Sequence, residues 1–454
     1  MSCRMSIRNC DWASKNILAS VVLTLGSLGA VASTTQIPSP SPSSGLHYLN
    51  FEEAVQIALH DNVDLQAFRQ QVEALKSQSK QALGPNEPTF SYTMNDGAGF
   101  SIAQTPAQTV YQINWTLGFP GKALSQSASA RHQAEAVAEQ ASNQEITIMT
   151  SLSNSYVAFA TNDAFYKFLL EEQKKDRELM KLLEKKFSAS QAAKVDLLNA
   201  KVTTEQISQS ILQNRNDYEL QLTNFRQIIR RPTDKNLLPQ IPEKIMIPPV
   251  KQSFDDLVDI MLRNNHLISQ AKRQVDSTES LLTNARLQLF PDFQLMAAVN
   301  DWLPTGAPLG PTVLQDYSLG ITITVPLFFV FNELEGIHTA EHNKGAAEYQ
   351  MTSQQLQAFN GLQTAYASLN ATLKDLDVSE KLVVPAAKAS YDLTLLTYGL
   401  GKADYFALNQ SRHSWHDATR DLLTKRQLAA QLYNQLIAQV GCDIAKTGGP
   451  NDCK

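Results

Sequence analysis

Two histidines one helical turn apart, with an acid beside the second, are the residues whose spelling comes nearest to catalytic chemistry. His338-Thr-Ala-Glu341-His342 has the H-x-x-E-H spacing, in which the histidines hold a zinc ion and the glutamate works as general base. A catalytic zinc needs a third protein ligand, commonly a downstream Glu. The chain has no Glu after Glu380, and the few later Asp residues lie mostly on segments with heptad spacing. Surface histidines fit the pattern better, and a zinc hydrolase built on His338, Glu341 and His342 is a remote alternative. His413-x-x-His416 has i, i+3 spacing that could share a metal ion, but a lone pair of this kind is usually incidental. The sequence offers no Gly-rich phosphate loop, no P-loop lysine and no nucleophile elbow. The expectation is therefore no enzyme, no cofactor and no resident metal. Any transport would be passive.

The bulk composition narrows the class further. Charged residues make up 18 % of 454, and the net charge is −5, so no basic field exists to hold nucleic acid. Arg4, Arg8 and Lys15 precede the apolar stretch Ile17 to Ala32, which ends on Ala30-Val31-Ala32. That is the layout of a signal peptide over 1–32, followed by a Ser/Pro-rich leader over 33–47. No later window holds the roughly 18 consecutive apolar residues of a spanning helix. A membrane portion would therefore have to be a closed β-barrel. Cys442 and Cys453 sit in the tail, 442–454, and either close a short disulfide or remain two thiols.

One pattern is written twice. Phe51 to Asn62 (Phe-Glu-Glu-Ala-Val-Gln-Ile-Ala-Leu-His-Asp-Asn) recurs as Phe254 to Asn265 (Phe-Asp-Asp-Leu-Val-Asp-Ile-Met-Leu-Arg-Asn-Asn). The same register pairs Gln71 with Gln274, Ala82 with Ala285, Pro88 with Pro291 and Phe90 with Phe293. An ordered series of this length points to an internal duplication, 48–231 and 251–441. The proline-dense 232–250 between them reads as an extended linker.

Each half is predicted to run helix, two strands, two long helices. Tyr111, Ile113, Trp115, Leu117 and Phe119 alternate with polar residues or glycine, as do Tyr317, Leu319, Ile321, Ile323 and Val325. Period two over about ten residues suits a tilted outer-membrane strand, so these ten side chains are expected to face lipid. Weaker partner strands surround Phe90 and Phe293. Four strands cannot close a barrel, because the smallest bacterial ones have about eight. Several chains must pool strands, and a trimer would supply twelve. No proline interrupts 123–187, and Ile148, Leu152, Tyr156 and Phe159 recur at helical spacing. Leu362, Tyr366, Leu369, Leu373 and Leu376 do so in the second half, where Pro385 is expected to kink the helix. Such helices would run roughly 100 Å. A soluble periplasmic coiled-coil or adaptor protein is the alternative these helices leave open.

On the doubled Phe51–Asn62 opening, the strands ending at Pro120 and Pro326, and Tyr398-Gly-Leu-Gly401-Lys-Ala-Asp404, the sequence resembles the TolC outer-membrane efflux family. Phe119-Pro-Gly-Lys122 is similar to a segment common in its heavy-metal branch. The resemblance implies a mainly α protein with a membrane β-barrel portion. It implies a homotrimer whose 12-stranded barrel in the outer membrane continues as a 12-helix α-barrel in the periplasm. The implied role is a channel subunit of a tripartite efflux or type I secretion system, working with a periplasmic adaptor and an inner-membrane pump. Two turns would dock the adaptor: Phe187, Ser188, Ala189, Ser190, Gln191, Ala192, Ala193 and Lys194, and Tyr398, Gly399, Leu400, Gly401 and Lys402. Ser190 replaces the family's first turn glycine, which leaves that turn's shape open. Asp196 matches a position where some members carry a gate acid, its counterpart is Ala407, and Asp404 lies one turn earlier. Three such carboxylates on one axis would attract cations and resist full ionisation. An ordinary helix-start aspartate is the competing reading.

Overall fold

The computed structural model describes residues 46–95, 108–190, 192–243, 245–302, 314–325 and 328–442. The predicted signal, most of the leader and the tail after Cys442 lie outside the described residues. The first half runs β1 (His47–Leu49), α1 (Phe51–Asp61), α2 (Val63–Ala82), β2 (Thr89–Asn95), β3 (Gln108–Leu117), α3 (Pro120–Ser188) and α4 (Lys194–Ile228). After β4 (Leu237–Pro239) come α5 (Phe254–Asn264), α6 (His266–Leu287), β5 (Asp292–Trp302), β6 (Leu314–Thr324) and α7 (Glu333–Val378). A π-helical turn (Ser379–Val383), α8 (Val384–Gly399) and α9 (Tyr405–Val440) complete it.

The twice-written motif is a pair of helix caps. The Asn50 side chain accepts the Glu53 N–H at 2.8 Å, and the Glu53 carboxylate accepts the Asn50 N–H at 3.1 Å. Ser253 and Asp256 repeat this box on α5. Asn62 and Asn265, both extended, then accept two N–H groups each from α2 and α6. Each half therefore opens with two helices and not the single one expected, because the motif's last Asn stops one helix and starts the next.

The α3 helix is 69 residues long, about 100 Å. Its first turns bury Ser125, Ser127, Ser129, Ala130 and Ala134, small residues that let α2 and α6 approach closely. Hydroxyl contacts mark both seams, Ser79 to Ser127 and Ser129 to Ser277, each at 2.9 Å. Pro385 gives no sharp break. The helix widens into the π turn just before it, which accommodates the missing N–H and the ring's bulk against the preceding turn.

Three apolar cores result. Leu65, Leu152, Phe159 and Phe225 anchor the first, and Leu257, Met261, Leu362 and Leu436 the second, its counterpart in the other half. The third joins both halves through Leu179, Leu183, Tyr391, Tyr398, Leu408 and Trp415. β1 pairs with β4 in parallel, so the linker is laid against the start of the first half.

Candidate functional site

Four strands form one antiparallel sheet in the order β2-β3-β5-β6. Its register carries the period-two pattern across all four. Phe90 lies opposite Ile113, Ile113 opposite Ala297, and Ala297 opposite Leu319. Tyr92, Tyr111, Val299 and Tyr317 make the next row, while Trp115, Leu295 and Ile321 make another. Residues directly opposite share a face, so one face is continuously apolar. The other carries Ser91, Gln112, Ala298 and Ser318, then Thr116, Gln294 and Thr322. The apolar face is open to its surroundings, and Leu319 is 88 % exposed. An uncovered apolar surface of this extent is foreign to a soluble monomer. Among the described residues, β2 and β6 each pair on one side only.

The ends of the predicted strands need correction. β3 stops at Leu117 and β6 at Thr324, so Phe119 and Val325 lie beyond the ladder. Pro120 has no N–H to give a neighbouring strand and opens α3 instead. The Phe119 ring stacks on Phe290 at 4.8 Å, and its N–H donates to Asp292 Oδ1 at 2.9 Å. Lys122 Nζ donates to the same oxygen at 2.9 Å. A Cβ on Gly121 would come within 2.9 Å of Leu287. The Phe-Pro-Gly-Lys segment is thus a joint between strand and helix, and its residues are fully occupied by that job.

At the far end of the long helices, the two turns share one backbone design. Gly401 has φ +73°, and Ser190, its counterpart, has φ +59°. Gly401 N–H donates to Tyr398 O, and Ser190 N–H to Phe187 O. The serine therefore keeps the turn's shape, at the expense of left-handed strain that glycine would avoid. Phe187, Ser188, Ala189, Ala193, Lys194, Gly399, Leu400 and Lys402 are exposed and Ala192 is half-buried, while Gln191 lies outside the described residues. Tyr398 departs from the expected docking surface, because its ring is buried in the third core. Lys186 Nζ donates to Tyr398 O at 2.6 Å and stands 4.5 Å from its ring centroid, stapling one turn to the other.

Asp404 caps α9, accepting the Ala407 N–H at 2.8 Å, and Asp196 lies half-buried in the first turn of α4. Both occupy positive helix starts. Glu341 pairs with Arg286 at 3.1 Å, and His338 is turned to Glu335. His413 is exposed, whereas His416 points inward to Glu172. Among the described residues, no three His, Cys, Asp or Glu side chains are grouped to hold a metal. Cys442 is disulfide-bonded, and its expected partner Cys453 lies outside the described residues.

One feature escaped the sequence reading. Leu169, Glu172, Asp176, Leu179 and Leu183 form a buried seam at steps of three and four, with two acids in apolar positions. Leu408, Arg412 and Trp415 continue the pattern on α9. Polar residues in a heptad seam were the available signal.

The family model described as outer membrane efflux protein matches residues 54–229 and again 257–441. The chain belongs to the outer membrane efflux protein family. Its members are channels of the outer membrane that extend into the periplasm, and the chain is accordingly a channel protein and not an enzyme. No curated protein matches the sequence. Among solved structures, the outer-membrane channel OprN aligns with a TM-score of 0.72 at 16 % identity, over 87 % of this chain and 90 % of that one. CusC, described for the conformational changes accompanying folding and channel formation, aligns at 0.72 and 15 %, over 89 % and 95 %. VceC of Vibrio cholerae, an outer membrane protein, aligns at 0.71 and 17 %, over 86 % and 96 %. These likenesses fix a mostly helical, internally duplicated channel fold. No helix among the described residues is long and apolar enough to cross a membrane.

Proposed function

We propose that three copies of this chain pool their sheets into one closed twelve-stranded barrel in the outer membrane, continued by their helices into the periplasm. The observation that carries the reading is the continuous apolar face of a sheet with two open edges. Four alternating strands leave β6 of one copy antiparallel to β2 of the next, so ring closure needs no change of pairing type. Three copies give twelve strands, above the minimum of about eight. The helical flanks support the same arrangement. α4 exposes Val195, Leu198, Val202 and Leu212, and α8 with its C-cap exposes Leu393, Leu396 and Leu400, both at heptad-related steps. Copies that pair these flanks cover both stripes at once.

The duct is passive, with the apolar strand face turned to lipid and the polar one to the lumen. Energy comes from an inner-membrane pump reached through a periplasmic adaptor, as in a tripartite efflux or type I secretion system. The adaptor engages the exposed turns around Ser190 and Leu400, and Asp196 and Asp404 are candidate acids at the periplasmic entrance. The joint at Phe119 to Lys122 is spoken for structurally and argues for no particular cargo. The test is purification of the mature chain in detergent. A three-copy particle rich in sheet, which conducts ions when reconstituted in a planar bilayer, is expected. A water-soluble monomer without sheet content would overturn the reading and favour the periplasmic coiled-coil alternative.

A further inference from the structure

Within the third core, in the last quarter of α3, lies a buried charged group that the duct itself does not require. Glu172 and Asp176, one turn apart on α3, are each 2 % exposed, and Arg412 on α9 is 5 % exposed. Glu172 receives Arg412 Nη1 at 3.3 Å on one oxygen and His416 Nδ1 at 2.9 Å on the other. Asp176 accepts the Thr204 hydroxyl of α4 on Oδ2, while its buried Oδ1 has no hydrogen-bond partner. The walls are aromatic: Phe165 and Phe168 stand 5.9 and 5.7 Å from the His416 ring, and Tyr391 stacks on Trp415 at 5.2 Å.

The charge balance is the decisive point. Two carboxylates face one guanidinium, which never deprotonates. The group is one positive charge short, and a proton on the buried Asp176 carboxyl, whose Oδ1 has no partner, makes up the difference. Uncompensated charge is costly inside a packed seam. The other charged and titratable groups around the site are Lys175 of α3, Tyr391 of α8, and Tyr405 and His413 of α9, with the exposed Asp392 and Asp417 acting on Tyr391 and His413. α4 presents the hydroxyls of Thr203 and Thr204. Lys175 Nζ is drawn over the Trp415 ring at 4.4 Å and not to either acid. Burial pushes the Asp176 carboxyl above its ordinary range, with Glu172 adding to the shift while Thr204 and Arg412 oppose it.

We propose that Glu172, Asp176, Arg412 and His416 form a proton-held latch that fixes α9 against α3 and α4 and loosens as pH rises. The sign follows from the balance. A site that takes up a proton on packing is fully held at low pH, and that contribution is lost as the proton leaves. The latch lies about two helical turns, roughly 12 Å, from the start of α9. It is therefore placed to govern how firmly the α8–α9 turn stays with α3. This is a statement about helix packing and does not depend on conduction.

The test is hydrogen exchange with mass spectrometry on the full mature chain in detergent, between pH 5.5 and 8.5, corrected for intrinsic exchange rates. One coupled proton can shift an opening equilibrium by up to about tenfold per pH unit. Amides of 405–416 are expected to exchange about tenfold faster at the high end, while those of 429–440, in the second core, change less than about twofold. Asp176→Asn, neutral at every pH, is expected to flatten the response. Thr204→Val removes the hydroxyl that favours the ionised Asp176 and is expected to move the rise to higher pH. Uniform exchange across pH in the wild-type chain overturns the proposal. So does an unchanged pH profile in either variant, and Thr204→Val keeps the test decisive should Asp176→Asn not fold.

Discussion

Lys122 Nζ lies 2.9 Å from Asp292 Oδ1, joining the first turn of α3 to the first residue of β5 across 170 positions of sequence. The same carboxylate oxygen also takes the Phe119 N–H, and Asn284 Nδ2 donates to Lys122 O at 2.8 Å. The two halves of the duplication are thus pinned together where strand gives way to helix. Lys122→Met leaves Asp292 without its cation and is expected to lower stability by about 1–3 kcal/mol. The check is thermal unfolding in detergent. Lys122→Met combined with Asp292→Asn should cost less than the sum of the single changes, because one interaction is removed twice.

On the proposed reading, adjacent residues of β6 meet opposite surroundings. Ile321 stands on the apolar face, 71 % exposed, and Thr322 on the polar one. Ile321→Lys is expected to cost about 2–4 kcal/mol in lipid and to deplete heat-modifiable oligomer from the outer-membrane fraction. Thr322→Lys should leave the amount unchanged. Equal depletion by both would remove the lipid assignment of the apolar face.

The two turns differ in strain and not in shape. Ser190→Gly relieves a left-handed serine and should raise stability by about 1 kcal/mol. Gly401→Ala, at φ +73° with open space around its Cβ, should lower it by a similar amount. Melting temperatures of the two variants decide this. Because charge at Gly401 also distorts the backbone, Ser190→Glu is the cleaner probe of adaptor docking. It should abolish export while oligomers persist.

Gly441 ends α9 at φ +87°, and a Cβ there would lie 2.4 Å from Asn264 O. Backbone cannot yield as a flexible side chain does. Gly441→Ala combines the left-handed penalty, about 1–2 kcal/mol, with a steric collision. It should unfold the end of the second core, visible as fast amide exchange over 429–440.

Burial alone would raise the Asp61 carboxyl, but hydrogen bonds from His60 and Arg231, with their charges, outweigh it and hold the group below its ordinary 3.8. A lowered carboxylate contributes stability above its unfolded value and loses it as pH falls through the folded one. Asp61→Asn should therefore cost on the order of 1 kcal/mol at pH 7. At pH 3 and below the difference from wild type should shrink towards zero. Denaturant titrations at the two pH values measure it.

Much of this protein was legible along the chain because its signals are local. The alternation from Tyr111 and from Tyr317, the helical spacing from Ile148 to Phe159, and the motif from Phe51 each repeat within a few residues. Periodicities of 2 and 3.6 fix strand or helix and say which side chains share a face. They do not say what that face meets. Strand ends needed the turn chemistry of Pro120, and the split of the opening helix needed the cap geometry of Asn62. Tertiary structure alone decided that Lys122 meets Asp292 and that Arg412 reaches Glu172 across 240 positions. It also made the four apolar strand faces into one surface. Those contacts depend on where a distant segment returns, and a local pattern cannot encode the address of its partner.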